Sequence, residues 1–255
     1  MALVFVFLYA PILVLIVYSF NESRTMGNWT GFTLDWYAAL LKDKNIMEAL
    51  KVTLSIAFLS SLCATVLGVT AAIGINSMKR RSRNLVMAAT NIPVINPDLV
   101  TGVSLMMIFA FLAVPPGYTT LLLAHITFNI PYVILNVTPK LRQMDRNLVD
   151  AAMDLGCTWM QAFWKVIIPE IKPGIVSGAL TAFTMSIDDF VISYFTAGSS
   201  SSTLAMTIYG MTKKKVTPEI NAISTLLFVT VLVLLAVINI REARQERKLA
   251  AEQRR

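Results

Sequence analysis

Long apolar stretches, separated by short polar segments, make up most of the chain. Six of them reach about 20 residues or more, at 2–20, 52–75, 85–114, 118–138, 174–197 and 220–240. An α-helix needs roughly 20 mostly apolar residues to cross the hydrocarbon core of a bilayer. The pattern therefore predicts an all-α membrane protein with six transmembrane helices.

The first stretch also has the length of a secretory signal peptide. No basic region precedes it, and polar residues rather than a small-residue cleavage pattern follow it at 21–24. We therefore expect residues 1–20 to be retained as the first transmembrane helix.

The distribution of basic residues predicts the orientation of these helices. Most of the 22 Lys and Arg residues fall in 76–84, 139–173 and 241–255, and fewer fall in 21–51 and 198–219. Because loops rich in Lys and Arg stay in the cytoplasm, we expect both termini to be cytoplasmic. Residues 21–51 then form an extracytoplasmic loop with a short helix, 52–240 the transmembrane core and 241–255 a basic cytoplasmic tail. The run Lys213–Lys215 opposes this assignment: it is either a solvated outer loop or a docking point for an acidic protein face.

The third stretch contains two prolines, Pro93 and Pro97. Each removes a backbone donor and crowds a preceding carbonyl, so we expect a kink or an unwound segment there. This break is either a hinge in a transport pathway or a purely structural kink. Glycines in the second and fifth stretches, Gly68, Gly74 and Gly178, are expected to permit close helix packing.

Composition excludes several functional classes. The chain is 56% apolar and 15% charged, with a mean hydropathy of +0.65, one histidine and two cysteines. It offers no nucleophile–base pair, no metal-ligand motif and no phosphate-binding G-x-x-x-x-G-K-[ST] loop. We expect no catalytic residues, no metal and no enzyme activity. The net charge of +7 lies in short blocks between apolar stretches, so we expect no nucleic-acid partner.

Three carboxylates lie inside the predicted spans, at Asp98, Asp188 and Asp189, and no Lys or Arg lies in the middle of any span. An aspartate at a helix centre costs roughly 2.5–3.5 kcal/mol on insertion scales, so such residues usually face a cavity or the bundle interior. An all-acidic interior suits a cationic substrate, and aromatic faces add to it. The aromatic residues nearby in the sequence are Phe109, Phe111, Tyr132, Phe190, Tyr194 and Phe195. We predict a pathway or gate formed by the three aspartates with Tyr194 and Phe195.

Each of these polar residues also has a structural interpretation. Asp188 and Asp189 are about 100° apart on one helix, so both cannot face one cavity, and one is expected to bond a neighbouring Ser, Thr or backbone group. Asp98 could instead cap the second half of the third span. His125 is expected to be a hydrogen-bonded packing residue.

The segment 139–173 is too polar to span a membrane but carries helix signals. Asp145 can cap a helix whose apolar stripe consists of Leu148, Ala151, Ala152 and Leu155. Gly156 can end it in a left-handed conformation, and Thr158 to Gln161 reads as a capping box for a second helix, which Pro169 helps to close. We predict a helix–turn–helix at the cytoplasmic face.

This loop resembles the EAA loop of ABC-importer permeases in Asp150-Ala151-Ala152, Gly156 and Ile167-Ile168-Pro169. The chain departs from that pattern by Asp for the leading Glu and by Ile168 before the proline. The resemblance implies a type I, MetI-like permease fold and coupling helices that dock on a separate ATPase. The implied coupling residues are Asp150, Ala151, Ala152, Gly156, Ile168 and Pro169. The alternative is an amphipathic hairpin on the membrane surface with no protein partner.

Further motifs resemble the spermidine/putrescine permeases. They include Trp29-x-Gly31-Phe32-Thr33-x-x-Trp36-Tyr37 and Met185-Ser186-Ile187-Asp188-Asp189. The resemblance implies polyamine import across a bacterial inner membrane by alternating access. It also implies a second homologous permease subunit, an ATPase dimer that binds ATP and Mg, an extracytoplasmic polyamine-binding protein and membrane lipid as partners, with no cofactor on this chain.

Other functions remain open from the residues alone. The same architecture could carry ferric iron, thiamine or another small solute. A channel or an ion-coupled secondary transporter would need no ATPase partner. A membrane enzyme is the least supported alternative, since no catalytic constellation is present.

Overall fold

The computed structural model describes residues 2–23, 28–145, 147–214 and 218–252, and these are almost entirely helical. The first six helices are α1 (Ala2–Tyr18), α2 (Asp35–Lys42), α3 (Lys44–Ser77), α4 (Arg80–Ile95), α5 (Asp98–Phe111) and α6 (Tyr118–Gln143). After them come α7 (Asn147–Asp154), α8 (Trp159–Ala162), a π-helical segment (Phe163–Ile167), α9 (Ile168–Asp188), α10 (Val191–Thr196), α11 (Leu204–Lys214) and α12 (Pro218–Glu252). The all-α prediction is confirmed.

Fewer than six helices meet the length and composition that a transmembrane helix requires. Among the described residues, four helices are long and apolar enough to cross a membrane: Lys44–Ser77, Tyr118–Gln143, Trp159–Asp188 and Pro218–Val237. The pair α4 and α5 makes a fifth if it is counted as one bent span. Helix α1 has 17 residues, slightly short of the roughly 20 that a bilayer requires. All six predicted stretches are therefore helical, and the structure supports four or five as spans by these criteria.

The expected break in the third stretch is present as a 104° bend between α4 and α5. It falls at Asn96 and Pro97, whose backbones are both extended, with ψ of 143° and 139°. A residue before proline is disfavoured in the α region, so Asn96 leaves the helix because Pro97 follows it. Pro93 lies inside α4, and the helix continues through it.

The fifth stretch, predicted as one helix over 174–197, is instead broken near its end. Helix α9 stops at Asp188, Asp189 is extended, and α10 starts at Val191. The Asp189 carboxylate accepts hydrogen bonds from the backbone N–H groups of Ile192 and Ser193. A short polar side chain that bonds nearby backbone competes with the helical pattern, and this ends the helix.

The predicted end of the second loop helix at Pro169 is wrong. Helix α8 passes through the π-helical segment directly into α9, and Pro169 lies in the first turn of α9. The N–H of Ile168 bonds to the carbonyl of Phe163, five residues back. Proline removes one backbone donor from a helix, and here it directly follows a π-helical segment in which the regular i→i−4 bonding is already interrupted. The second loop helix is therefore the beginning of the fifth span.

Helices α3, α6 and α9 form the centre of the molecule. Their main cluster of buried apolar residues includes Ala64, Val133, Ile134, Ile171 and Ala182. A Cβ at Gly68 would lie 2.7 Å from the Val133 side chain, and one at Gly178 would lie 3.2 Å from the Val133 Cα, so these glycines allow close packing as predicted. A Cβ at Gly74 would have nothing within 4 Å, and the same prediction is wrong there.

Candidate functional site

The two broken helices meet at their breaks. On α5, a Cβ at Gly102 would lie 3.1 Å from the ring of Phe195 and 3.3 Å from the Cα of Ile192, so α5 and α10 pack closely. Asp98 is the first residue of α5, one turn before Gly102, and Asp189 precedes α10. The two carboxylates are near enough to interact electrostatically. Tertiary packing thus brings together acidic residues from two separate spans.

Asp189 is held by the protein itself. Its Oδ2 accepts hydrogen bonds from the N–H and the hydroxyl of Ser193, both at 2.8 Å, and its Oδ1 accepts one from the Ile192 N–H at 3.2 Å. The Nε2 of His125 lies 3.5 Å from Oδ2. The prediction that one member of the Asp188–Asp189 pair bonds a neighbouring Ser and backbone is confirmed, and that member is Asp189.

Asp98 and Asp188 are arranged differently. Both side chains are exposed, and neither carboxylate accepts a hydrogen bond from any residue that the structure describes. Asp98 therefore does not cap α5 through its side chain. Their oxygen atoms remain available to a ligand, whereas those of Asp189 are largely engaged.

A series of hydrogen-bonded polar side chains is buried next to Asp189. His125 is fully buried, its Nδ1 is hydrogen-bonded to the Ser186 hydroxyl, and its Nε2 lies 3.0 Å from the Ser193 hydroxyl. Beyond Ser186, the Ser60 hydroxyl lies 3.1 Å away and accepts from Asn129 Nδ2 at 3.2 Å. The packing role predicted for His125 is confirmed. The serines and Asn129 were missed, although small polar residues inside apolar spans commonly bond across helices.

Aromatic rings surround one side of the helix breaks. Phe190 contacts Tyr194 at 5.6 Å and Tyr209 at 4.6 Å between ring centroids. Tyr194 follows Asp189 by five residues and is 53% exposed, whereas Phe195 packs on Gly102. Tyr209, on α11, was not identified from the sequence, and the Lys213 ammonium lies 4.6 Å from its ring centroid. Lys215 lies outside the described residues.

The other aromatic candidates divide between core and surface. Phe109 is buried in a cluster with Phe128 and Ile192, Tyr132 packs partly against that cluster, and Phe111 is 89% exposed. Tyr132 and Asp98 interact electrostatically.

Among the residues that the structure describes, no three His, Cys, Asp or Glu side chains could share a metal ion. Free carboxylate oxygens beside aromatic faces can bind an organic cation.

The loop helices end and begin as their sequence predicts. Asp145 accepts from the Asn147 N–H at 3.0 Å at the start of α7. Gly156 follows α7 with a φ of +87°, a conformation that suits glycine, and the Cys157 N–H bonds back to the Ala152 carbonyl. The Gln161 N–H donates to the Thr158 hydroxyl, and the Thr158 N–H donates to the Gln161 side chain. The predicted capping box is confirmed.

Four large apolar side chains of the loop are mostly exposed and do not belong to the chain's own core. They are Leu155 at 87%, Trp159 at 56%, Met160 at 58% and Trp164 at 62%. We call these four residues the loop patch. Val149 and Phe163 instead pack against the core. Of the proposed coupling residues, Asp150, Ala151 and Pro169 are exposed, and Ala152 and Ile168 are half-buried. An exposed apolar patch of this kind is typical of an interaction surface.

Comparison with known proteins identifies relatives over most of the chain. It is 40% identical over 230 residues to the putrescine transport system permease protein PotI of Escherichia coli K12, a match that covers 88% of this chain and 82% of that protein. It is 36% identical over 234 residues to the spermidine/putrescine transport system permease protein PotC of the same strain, covering 92% and 89%.

Solved structures share the fold. A bacterial ABC transporter involved in the import of alginate matches with a TM-score of 0.68 at 16% identity and covers 96% of this chain and 92% of that one. An amino acid ABC transporter matches with a TM-score of 0.61 at 20% identity, covering 84% and 100%. The predicted MetI-like permease fold is confirmed.

A family model places the chain among transport proteins. The model for the binding-protein-dependent transport system inner membrane component matches residues 64–251. This range includes the helix breaks and the loop helices, and together with the relatives it shows a multi-pass membrane permease. The chain therefore belongs to the family of inner membrane components of binding-protein-dependent transport systems.

Proposed function

We propose that this chain is one of two homologous permease subunits of an ABC importer that carries putrescine or spermidine into the bacterial cytoplasm. An extracytoplasmic polyamine-binding protein delivers the cargo, and an ATPase dimer on separate chains drives alternating access. The similarity to two permeases named for putrescine and spermidine, each over more than four fifths of the chain, supports this cargo.

The observation that carries the cargo assignment is the acidic cluster at the two helix breaks. A polyamine is a series of ammonium groups on methylene stems. Asp98 and Asp188 offer free carboxylate oxygens, and exposed Tyr194 offers a ring face worth about 0.5–2 kcal/mol to a cation. No Lys or Arg in the middle of a span opposes a cation there. Asp189 shapes the break and adds negative potential.

The loop patch is proposed to dock on the ATPase. Its apolar and aromatic side chains lie at the end of the fifth span, which begins within the loop itself at Trp159. Motion of the loop therefore passes to Asp188 along one continuous helix. Because the chain has no phosphate-binding loop, ATP and Mg are assigned to the partner, and this chain binds no cofactor.

The proposed orientation puts the loop patch and the basic segments 76–84 and 139–173 in the cytoplasm together with both termini. The distribution of Lys and Arg along the sequence supports this orientation. A cysteine introduced in the 241–255 tail should react with an impermeant maleimide only after the cells are opened.

Uptake of radiolabelled putrescine and spermidine tests the cargo. Cells express the complete importer with the wild-type chain, Asp98→Asn or Asp188→Asn. Asp35→Asn on α2 is the matched control. The amount of each variant in the membrane is measured. We expect uptake to fall by tenfold or more in the first two variants and to stay normal in the control. If wild type imports neither polyamine while another loaded binding protein stimulates its ATPase, the cargo assignment is wrong and the permease assignment survives.

A further inference from the structure

A basic cavity lies at one membrane surface, away from the helix breaks. It has a volume of about 410 Å³ and lies among the ends of α3 and α6 and the beginning of α4. The polar residues that line it are Asn76, Arg80, Arg83, Asn84 and Arg142. Three guanidinium groups and two amides thus converge on one space.

The arginines have no counter-charge within the described residues. None of the three forms an ion pair with a described carboxylate, and the Nε of Arg83 is buried with no hydrogen-bond partner there. Three guanidinium groups that line one cavity without a counter-charge repel one another, and an anion placed between them removes that repulsion. The cavity is therefore arranged for an anionic acceptor from outside this part of the chain.

A second, more apolar groove opens from the same arginine. It has a volume of about 390 Å³, and its lining includes Met87, Leu135, Pro139 and Arg142. Leu135 lies seven residues before Arg142 on α6, which places it roughly 10 Å deeper toward the membrane centre at 1.5 Å per residue. A charged cavity at the membrane surface thus shares Arg142 with an apolar groove that lies deeper along α6.

The position of the cavity matches the depth of lipid headgroups. Helix α3 ends at Ser77, α4 begins at Arg80 and α6 ends at Gln143, so the spans reach the same surface there. The outward side of α4 is apolar below the cavity, with Leu85 73% and Ile92 55% exposed. Basic pockets between transmembrane helices are suited to anionic headgroups.

We propose that this cavity binds the phosphate of an anionic phospholipid, with one acyl chain in the adjoining groove between α4 and α6. The terminal N–H groups of Arg80, Arg83 and Arg142 donate to the phosphate, and Arg142 joins the headgroup and acyl parts of the site. A free phosphate ion would satisfy the arginines but leave the apolar groove unused. This inference goes beyond the transport function and does not depend on the cargo.

The bound lipid would brace the loop helices. Val86 and Met87 of α4 pack on the same core cluster as Met144 and Val149, which flank the start of α7. A lipid that ties α4 to α6 therefore restrains the base of the loop.

Lipid retention by the assembled importer tests the proposal. The complex is purified in detergent and titrated with dioleoyl-phosphatidylglycerol or dioleoyl-phosphatidylcholine, and bound lipid is counted by native mass spectrometry. The pocket variant is Arg83→Gln with Arg142→Gln. Its control is Lys79→Gln with Arg81→Gln, which removes the same charge from exposed residues outside the cavity lining.

We expect wild type and the control to bind phosphatidylglycerol and not phosphatidylcholine. Because a hydrogen bond to a charged group is lost only when a cavity arginine is removed, the pocket variant should bind at least about tenfold more weakly than the control. Inorganic phosphate at a concentration equal to that of the lipid should leave the lipid bound, because the ion gains nothing from the apolar groove. Equal losses in the pocket and control variants, equal binding of the two lipids, or displacement by phosphate would each overturn the proposal.

A groove variant covers the case in which the pocket variant does not assemble. Leu135→Trp fills the apolar groove and leaves all three arginines in place. We expect it to lower phosphatidylglycerol retention while inorganic phosphate still binds at the arginines. Unchanged lipid retention in this variant would show that the groove holds no acyl chain.

Discussion

Three carboxylates inside one membrane protein carry the same formal charge and have different roles. Asp189 accepts three hydrogen bonds from α10 and lies beside His125. Its carboxylate therefore has a structural role, which is to hold the start of α10. Asp98 and Asp188 accept none from the described residues. Since a carboxylate that is already bonded gains little from a ligand, the hydrogen-bond partners of each residue decide its role.

Replacement of Asp189 by alanine should lower stability, and replacement of Asp98 by asparagine should not. Asp189→Ala removes the carboxylate that accepts from the first N–H groups of α10, at a cost of about 0.5–2 kcal/mol in the free energy of unfolding. Asp98→Asn removes no hydrogen bond and relieves repulsion with Asp189. Thermal unfolding of the purified permease in detergent measures both variants. Equal destabilisation by the two would contradict this division of roles.

Helix ends determine how the spans of this molecule are divided. The third span breaks because Pro97 forces Asn96 out of the helix, and the fifth breaks because Asp189 bonds the backbone of α10. Helix α7 ends because Gly156 adopts a positive φ. By contrast, Pro93 and Pro169 lie within helices and end neither of them. Whether a proline, aspartate or glycine ends a helix therefore depends on its neighbours. These neighbours determine whether the backbone groups that leave the helix find other hydrogen-bond partners.

Gly156→Ala should impair coupling, whereas Gly74→Ala should not. A Cβ at either glycine would have nothing within 4 Å, so the two sites differ in backbone conformation rather than in crowding. An L-residue held at a φ of +87° is strained by roughly 1–2 kcal/mol, which shifts the loop conformation about fivefold or more. Alanine inside α3 is favourable. ATPase stimulation by loaded binding protein is the measurement, and normal coupling in a folded Gly156→Ala complex would remove the assignment of this loop.

The molecule buries its centre and leaves the loop patch uncovered. Helices α3, α6 and α9 pack on one another, while the loop patch extends beyond them. The stripe of Leu148, Ala151, Ala152 and Leu155 is correctly predicted as apolar, but Leu148 is 44% and Leu155 is 87% exposed. An amphipathic helix whose apolar side faces away from its own core is suited to a partner protein.

Polar substitutions in the loop patch should release the ATPase. Burial of one large apolar side chain contributes about 1.5–3 kcal/mol, so Leu155→Gln with Trp164→Gln should weaken ATPase binding more than tenfold. The matched control is Trp29→Gln, a tryptophan of similar exposure, 51%, in the predicted extracytoplasmic loop. ATPase recovered with the affinity-purified permease is the readout. Unchanged recovery in the double variant would show that the patch faces lipid.

Sequence alone determined the features that depend on neighbouring residues. The helical stretches follow from local apolar length, because each stretch must meet the bilayer requirement by itself. The caps at Asp145, at Gly156 and at Thr158 to Gln161 are correct because each involves residues within a few positions of one another. The EAA-like loop was identified for the same reason, since its spacing is short.

Tertiary structure decided which polar residues are free and which are bound. His125 and Ser186 are 61 positions apart, and Asn129 and Ser60 are 69 apart, yet each pair shares a hydrogen bond in the core. The meeting of Asp98 with Asp189 and the convergence of Arg83 with Arg142 likewise depend on how separate helices pack. Periodicity along one helix carries no information on the neighbour it will contact, so these arrangements appear only once the spans are assembled.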